Sequence, residues 1–339
     1  MTGPAHNSRI RACRFRPARW LPGRHLQTIY PALPWARAPR PLLTSEWLEL
    51  PDGDVTVVDW LPHGPADPEQ PILIILHGLE GSAKSSYCRQ LLHAAARRGW
   101  RAAVLHFRDC GDYRNRLPRR YHAGETDDVR FFLDSLSKQG QRGPIMAAGY
   151  SLGGNVLLKY LGESGDNTPL AAAAAVSVPL DLQLSSEALN KGFSKLYQSY
   201  LLKRMKKSVA RKFDPDTAAF DWPRAMAAHS FAEFDDAVTA PLHGFSGKDD
   251  YYGRCSASPF LKQIQRPTLI INALDDPFMT PEVIPDEAAL ADQVTLEISK
   301  KGGHVGFIDG GTPWQPRYFL PRRIVEFMDS VIVPERGLP

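Results

Sequence analysis

The chain has 339 residues, of which 43% are hydrophobic and 23% charged, with a net charge of +4 and a pI near 8.8. Those proportions are ordinary for a globular protein, and the length suits one large α/β domain with an insertion, or two domains. The small basic excess has no concentrated run, which counts against a nucleic-acid binder, and no apolar run approaches the ~18 residues of a membrane span.

The N-terminus carries Arg9, Arg11, Arg14, Arg16 and Arg19 without an apolar stretch behind them, so no secretory signal is expected. Residues 1–44 are rich in Pro and Arg and hold Trp20, Leu21, Leu26, Ile29, Tyr30 and Trp35 as anchors; they predict an irregular arm packed on the core. Glu46 to Leu50 and Val55 to Leu61 alternate as strands around the turn Pro51-Asp52-Gly53-Asp54, an edge hairpin. Ile72 to Leu76 is a continuous apolar run suited to a buried parallel strand, and it leads into His77-Gly78-Leu79-Glu80-Gly81-Ser82. A helix is predicted over Ser86 to Arg98, a strand over Arg101 to Phe107, a polar loop over Arg108 to Tyr121 and a helix from Glu125 to Lys138. Another strand ends in Gly149-Tyr150-Ser151-Leu152-Gly153-Gly154 before a helical pattern in Val156, Leu157 and Tyr160. Ala171 to Ser177 is the next strand. Strands alternating with helices at this spacing predict a mostly parallel sheet flanked by helices.

From about residue 181 to 260 the alternation stops. Leu189, Phe193, Leu196, Tyr200 and Met205 form a helical stripe among many lysines and arginines, read as a helical lid insertion. The alternation resumes with a strand over Pro267 to Ala273, a helix over Pro281 to Leu290, a strand over Gln293 to Ile298 and a helix over Pro321 to Val331. The domain reading is therefore an arm over 1–44, a core over 45–180 and 261–339, and a lid over 181–260. Cys13, Cys88, Cys110 and Cys255 form no C-x-x-C pair and read as free thiols of a reducing compartment; a soluble, cytoplasmic protein is expected.

Strand, sharp turn and helix around G-x-S-x-G are the context of a nucleophile elbow, in which a strained turn exposes the serine oxygen at the sheet rim. Ser151 would then need a base and an acid from loops after later strands. The strand PTLIINA ends in Leu274-Asp275-Asp276-Pro277-Phe278, and VTLEI is followed by Lys301-Gly302-Gly303-His304. Both loops fall where active-site groups collect in parallel sheets. His304 is the expected base. Asp276 and Asp275 compete for the acid, with Asp276 favoured because Pro277 beside it stiffens the chain. The oxyanion donors are expected at the N–H groups of Leu152 and Leu79, and His77 is read as a brace for the Leu79 loop.

Three further groups have a chemistry of their own. Arg108, Arg114, Arg116, Arg119 and Arg120 suit either an anionic headgroup or structural salt bridges in a solvated loop, the second reading being favoured. His122, Glu125 and Asp128 have metal-ligand chemistry, but a capped helix start explains them, and neither metal nor organic cofactor is expected. The basic lid helix suits a solvated face or contact with anionic lipid, the solvated face being favoured.

HGLEGS, FRDCGDYRNRLPRRYHAGETDD, GYSLGGN, FAEFDDAVTAPLHGFSGKDDYY, NALDDPF and GGHVGF, with FRPARWLPGRHLQTIYP near the start, together resemble the YheT-like proteins of the AB hydrolase superfamily (AB hydrolase 4 family). The resemblance runs from about Phe15 to the end. It implies an α/β-hydrolase fold and a serine esterase with Ser151, Asp276 and His304 as its triad. Eukaryotic relatives act on acylglycerols or phospholipids and carry a membrane anchor, which this sequence lacks. The expected activity is hydrolysis of a small-molecule or lipid-like carboxylic ester through an acyl-enzyme. The alternatives are acyl transfer from the same intermediate, or a non-catalytic scaffold.

Overall fold

A computed structural model describes residues 8–62 and 67–332. Residues 1–7 of the expected arm, 63–66 of the expected core and 333–339 of its end lie outside them. The strands are β1 (Ile10–Ala12), β2 (Thr44–Glu49), β3 (Val55–Trp60), β4 (Ile72–Leu76), β5 (Arg101–Leu105), β6 (Ile145–Tyr150), β7 (Leu170–Val176), β8 (Thr268–Ala273) and β9 (Val294–Ser299). They form one nine-stranded sheet in the order β1-β9-β8-β7-β6-β4-β5-β3-β2. Every pairing is parallel except β2 with β3 and β3 with β5. A separate antiparallel pair, β10 (Ile308–Gly311) and β11 (Pro316–Tyr318), follows.

The central strands explain the layering. Side chains alternate across a strand, so an uninterrupted apolar run must be covered on both faces. In β4, Ile72, Ile74 and Leu76 enter one core while Leu73 and Ile75 enter the other. The first core is closed by α3 (Asp127–Lys138) through Phe132 and Leu133, and by α4 (Leu152–Ser164) through Leu157 and Leu161. The second is closed by α2 (Ser86–Arg97) through Leu91 and Leu92, and by α11 (Phe319–Ile332) through Ile324 and Met328. In β7 the side chains of Ala172 to Ala175 are fully buried, and their small size lets α4 and α11 both settle close to it.

Between β7 and β8 the chain makes α5 (Leu182–Leu189), α6 (Ser194–Lys212), α7 (Trp222–Ala227), α8 (Phe231–Phe234), a π-helical turn (Asp235–Thr239), α9 (Ala240–Leu242) and α10 (Lys248–Cys255). Asp181, Asp221 and Ser230 cap three of these helices by accepting from the N–H groups of Leu184, Arg224 and Glu233. Leu202, Met205, Val209, Phe234 and Val238 give the insertion its own small core.

Three expectations change, and one element is added. The run from Pro281 to Leu290 is two 3-10 turns, Pro281–Val283 and Glu287–Ala289, because Pro285 supplies no N–H and disfavours helix in the residue before it. The arm is not wholly irregular: it contributes β1 to the sheet edge and the short helix α1 (Arg24–Ile29). The hydrophobic stripe is not all buried, since Leu196 and Tyr200 face outward while Gln198, Leu202 and Met205 face inward. The pair β10–β11 had no expectation; its Gly310-Gly311 carries no strand-like alternation.

Candidate active site

Ser151 sits between β6 and α4 at φ 53° and ψ −120°, a conformation costly for a residue with a Cβ. The turn exists because glycines surround it. A Cβ on Gly149 would lie 2.4 Å from the Gly153 oxygen, and one on Gly153 would lie 2.5 Å from the carbonyls of Leu76 and His77. The Ser151 N–H donates to the Val176 carbonyl at 2.8 Å, which ties the turn to β7.

The loops after β8 and β9 meet this serine. His304 Nε2 lies 3.0 Å from Ser151 Oγ, and His304 Nδ1 lies 2.8 Å from Asp276 Oδ2. The other oxygen of Asp276 accepts from the Phe278 N–H at 2.8 Å. Asp275 points elsewhere and accepts from the Gly303 N–H at 3.0 Å, with burial pushing its carboxyl above the ordinary range. The carboxylate in line with the imidazole is thus that of Asp276. The Phe278 ring lies flat on the His304 ring, centroids 4.0 Å apart and 3° from parallel, and leaves the imidazole little room to turn.

The arm also reaches this loop, which residue types in the sequence did not signal. Thr28 Oγ1 accepts from the His304 N–H at 2.9 Å, and Ser177 Oγ accepts from the Val305 N–H at 3.0 Å. Buried Gln27 donates to the carbonyls of Leu21 and Ile308 and accepts from the Ile308 N–H. Gly303 and Gly306 are required here: a Cβ would lie 2.5 Å from the Arg24 oxygen at the first and 2.1 Å from the Gln27 oxygen at the second. The only sequence signal was the glycine density around His304.

Leu79 lies in the loop after β4, which turns from Gly78 to Gly81 with Glu80 at φ 51°. Gly78 abuts the nucleophile: a Cβ there would be 3.4 Å from Ser151 Cβ. Leu152 starts α4, where N–H groups have no intrahelical acceptor. His77 braces the loop, contacting the Gly78 carbonyl through Nδ1 and accepting from the Phe107 N–H through Nε2; burial lowers its pKa to about 3, so the ring is neutral. Glu80 anchors the turn from the other side. Its carboxylate accepts from Arg120, Tyr121 and Ser208, and its N–H donates to the Tyr121 hydroxyl.

Four of the five arginines of the 108–120 loop pair with carboxylates of this chain. Arg108 pairs with Asp128, Asp52 and Asp54, Arg116 with Glu49, Arg119 with Glu125 and Asp52, and Arg120 with Asp109 and Glu80. Arg108, Arg120 and the Asp54 carboxylate are buried, so this part of the network is interior, while Arg114 and the Arg116–Glu49 pair are exposed.

His122 and Glu125 do converge, with His243 in the place where Asp128 was considered; their donor atoms lie within 4.8 Å of one another. Asp128 is bonded to Arg108 instead. The set does not suit a divalent ion. Arg119 already donates to Glu125, the Gly124 N–H occupies His122 Nδ1, and Lys159 and Arg254 add positive charge nearby.

Two cavities share Ser151 and His304. One, of about 120 Å³, runs beneath the insertion and is mostly apolar, lined by Leu152, Leu182, Met205, Phe231, Phe234 and Val238 among others. The other, of about 990 Å³, is an open cleft between α1, α6 and the 78–87 loop, with Lys84, Arg204 and Lys207 along it.

The model for the alpha/beta hydrolase fold matches residues 71–311. The chain is 42% identical over 325 residues to the Escherichia coli (strain K12) protein named "Putative esterase YheT", spanning 95% of this chain and 94% of that one. It is 32% identical over 308 residues to the phospholipase ABHD3 of Homo sapiens, spanning 86% and 75%. Among solved structures, the Pyrococcus furiosus esterase PF2001 superposes with a TM-score of 0.56 at 15% identity, over 86% of this chain and 92% of that one, a likeness of fold. With the family model spanning most of the sheet and the YheT match running almost end to end, this chain belongs to the alpha/beta hydrolase fold family as a YheT-like member.

Proposed function

We propose that the protein is a serine esterase that cleaves carboxylic esters through an acyl-enzyme on Ser151. The observation that carries this reading is the hydrogen-bonded line Ser151–His304–Asp276 ending on a strained, glycine-walled turn. His304 Nε2 takes the hydroxyl proton as Ser151 Oγ bonds to the ester carbonyl carbon. Asp276 holds the proton on Nδ1 and stabilises the imidazolium. The N–H groups of Leu79 and Leu152 receive the oxyanion, each worth roughly 10²–10³ in rate. As the intermediate collapses, the C–O bond to the alcohol breaks and the leaving oxygen takes the proton from Nε2. Water then attacks the acyl carbon and gives its proton to His304; the bond to Ser151 Oγ breaks, Oγ takes that proton back from Nε2, and the acid leaves.

The apolar cavity suits the acyl chain and the open cleft suits the alcohol. Residues 181–260 act as the lid that closes the acyl side, on a core of 45–180 and 261–339 with the 1–44 arm against it. The likeness to a relative named as a phospholipase makes lipid-like esters substrates to try. Four free thiols and the want, among the described residues, of a helix long and apolar enough to cross a membrane fit a cytoplasmic enzyme.

Purified protein with a p-nitrophenyl ester series tests the reading. Turnover in water alone, labelling by a fluorophosphonate, and a fall of about 10⁶ in kcat for Ser151→Ala are expected. Acceleration only on adding an alcohol or thiol acceptor would indicate acyl transfer. Turnover that survives Ser151→Ala would remove the serine from the chemistry.

A further inference from the structure

Burial assigns the two sides of α6 opposite tasks. Gln198, Leu202, Met205 and Val209 face inward on one stripe. The opposite stripe, at 3.6-residue spacing, carries Phe193 just before the helix, then Leu196 and Tyr200, and further along Lys203, Arg204 and Lys207. Phe193, Leu196 and Tyr200 are 48%, 60% and 62% exposed. On α1, Leu26 and Ile29 are also exposed, and His25 of that helix touches the Phe193 ring at 4.3 Å, which joins the two elements. Among the described residues, half of the exposed large apolar side chains therefore collect on these two helices and at Phe193 beside them, and the two helices form one rim of the cleft that opens on Ser151. Among the described residues, Lys203, Arg204 and Lys207 have no carboxylate within ion-pair distance, although Arg204 donates to the Glu80 carbonyl at 2.5 Å.

Exposed apolar groups gathered at one place mark a surface that meets something less polar than water. We propose that the outer face of α6, with α1 beside it, docks on an anionic lipid surface and so holds the mouth of the cleft against the bilayer. The aromatic and aliphatic side chains enter the headgroup–acyl boundary, while the Lys203 and Lys207 ammonium groups meet the negative headgroups. Charge decides for lipid over a second copy of the chain, because two such faces would oppose their cations.

Vesicle flotation tests this with the full chain. The expected result is binding to vesicles containing phosphatidylglycerol at least tenfold stronger than to pure phosphatidylcholine. Phe193→Ser with Leu196→Ser should weaken that binding tenfold or more at any salt. Lys203→Glu with Lys207→Glu should abolish the preference for phosphatidylglycerol. Neither Phe193 nor Leu196 lines the two cavities that share Ser151, so their double variant should hydrolyse a short soluble ester at the wild-type rate, which also shows that it folds. Equal binding by that variant and the wild type, or no vesicle binding by the wild type, would overturn the proposal. So would a dimer in gel filtration that the double variant dissociates, since the face would then belong to a second copy. The proposal is separable from the esterase reading: vesicle binding without ester hydrolysis would sink only the latter, and hydrolysis without vesicle binding only the former.

Discussion

Replacement of Gln27 by Leu isolates what the arm contributes to the candidate active site. The Gln27 side chain is 1% exposed. Its amide donates to the Leu21 carbonyl at 3.2 Å and the Ile308 carbonyl at 3.1 Å, and its oxygen accepts from the Ile308 N–H at 2.8 Å. The Ile308 carbonyl keeps a partner in the Ala18 N–H, so Leu strands two groups, the Leu21 carbonyl and the Ile308 N–H. Each buried orphan costs about 1–3 kcal/mol, and the extra apolar burial of Leu returns about 1 kcal/mol. The net loss is about 1–5 kcal/mol, a sizeable part of the 5–15 kcal/mol that typically holds a domain together. Ile308 lies four residues from His304, and Val305 and Phe307 between them sit at φ 59° and 47°, a conformation that needs tight support. Relaxation there shifts the imidazole, and about 1 Å of misplacement costs on the order of 10² in rate. Urea unfolding and kcat on a short p-nitrophenyl ester measure the two effects together. A variant within about 1 kcal/mol of the parent in stability and within about twofold in kcat would show that the arm does not support this loop.

Asp276→Asn should lower kcat by about 10⁴, because the imidazole loses the partner that fixes its tautomer, whereas Asp275→Asn should cost less than about tenfold; the reverse order would reassign the acid. Asp235 gives a pH dependence. Burial raises its carboxyl to about 6 from 3.8, against hydrogen bonds from Thr239 and Tyr252. Between those values the folded protein keeps a proton that the unfolded chain gives up, so this group removes stability as pH rises through the window, and the loss is complete above it. Asp235→Asn should therefore gain about 2 kcal/mol on the parent between pH 4 and pH 7. A difference in unfolding free energy that stays flat over that range would refute the assignment.

Much of the fold was legible in residue order alone. The apolar run Ile72 to Leu76 suits a strand covered on both faces, which is what it is, and the glycines at 149, 153 and 154 suit a turn with no room for side chains, which is where they sit. These are local consequences of side-chain periodicity and backbone sterics, so neighbours in sequence suffice to read them. The order Ser151, Asp276, His304 was legible for the same reason, as each residue follows a strand whose end could be predicted.

Tertiary structure alone decided the rest. Asp275 and Asp276 are chemically alike, and only the direction each side chain takes, one to the Gly303 N–H and the other to the His304 ring, separates them. The arginines after Phe107 resemble a headgroup site until Asp52, Asp54 and Asp128 arrive from distant segments to pair with Arg108. The support that Gln27 and Thr28 give the His304 loop spans more than 270 residues, and no local pattern encodes it. The outward stripe of α6 has the same origin: periodicity gives a helix its two sides, but which side the core covers depends on what packs against it.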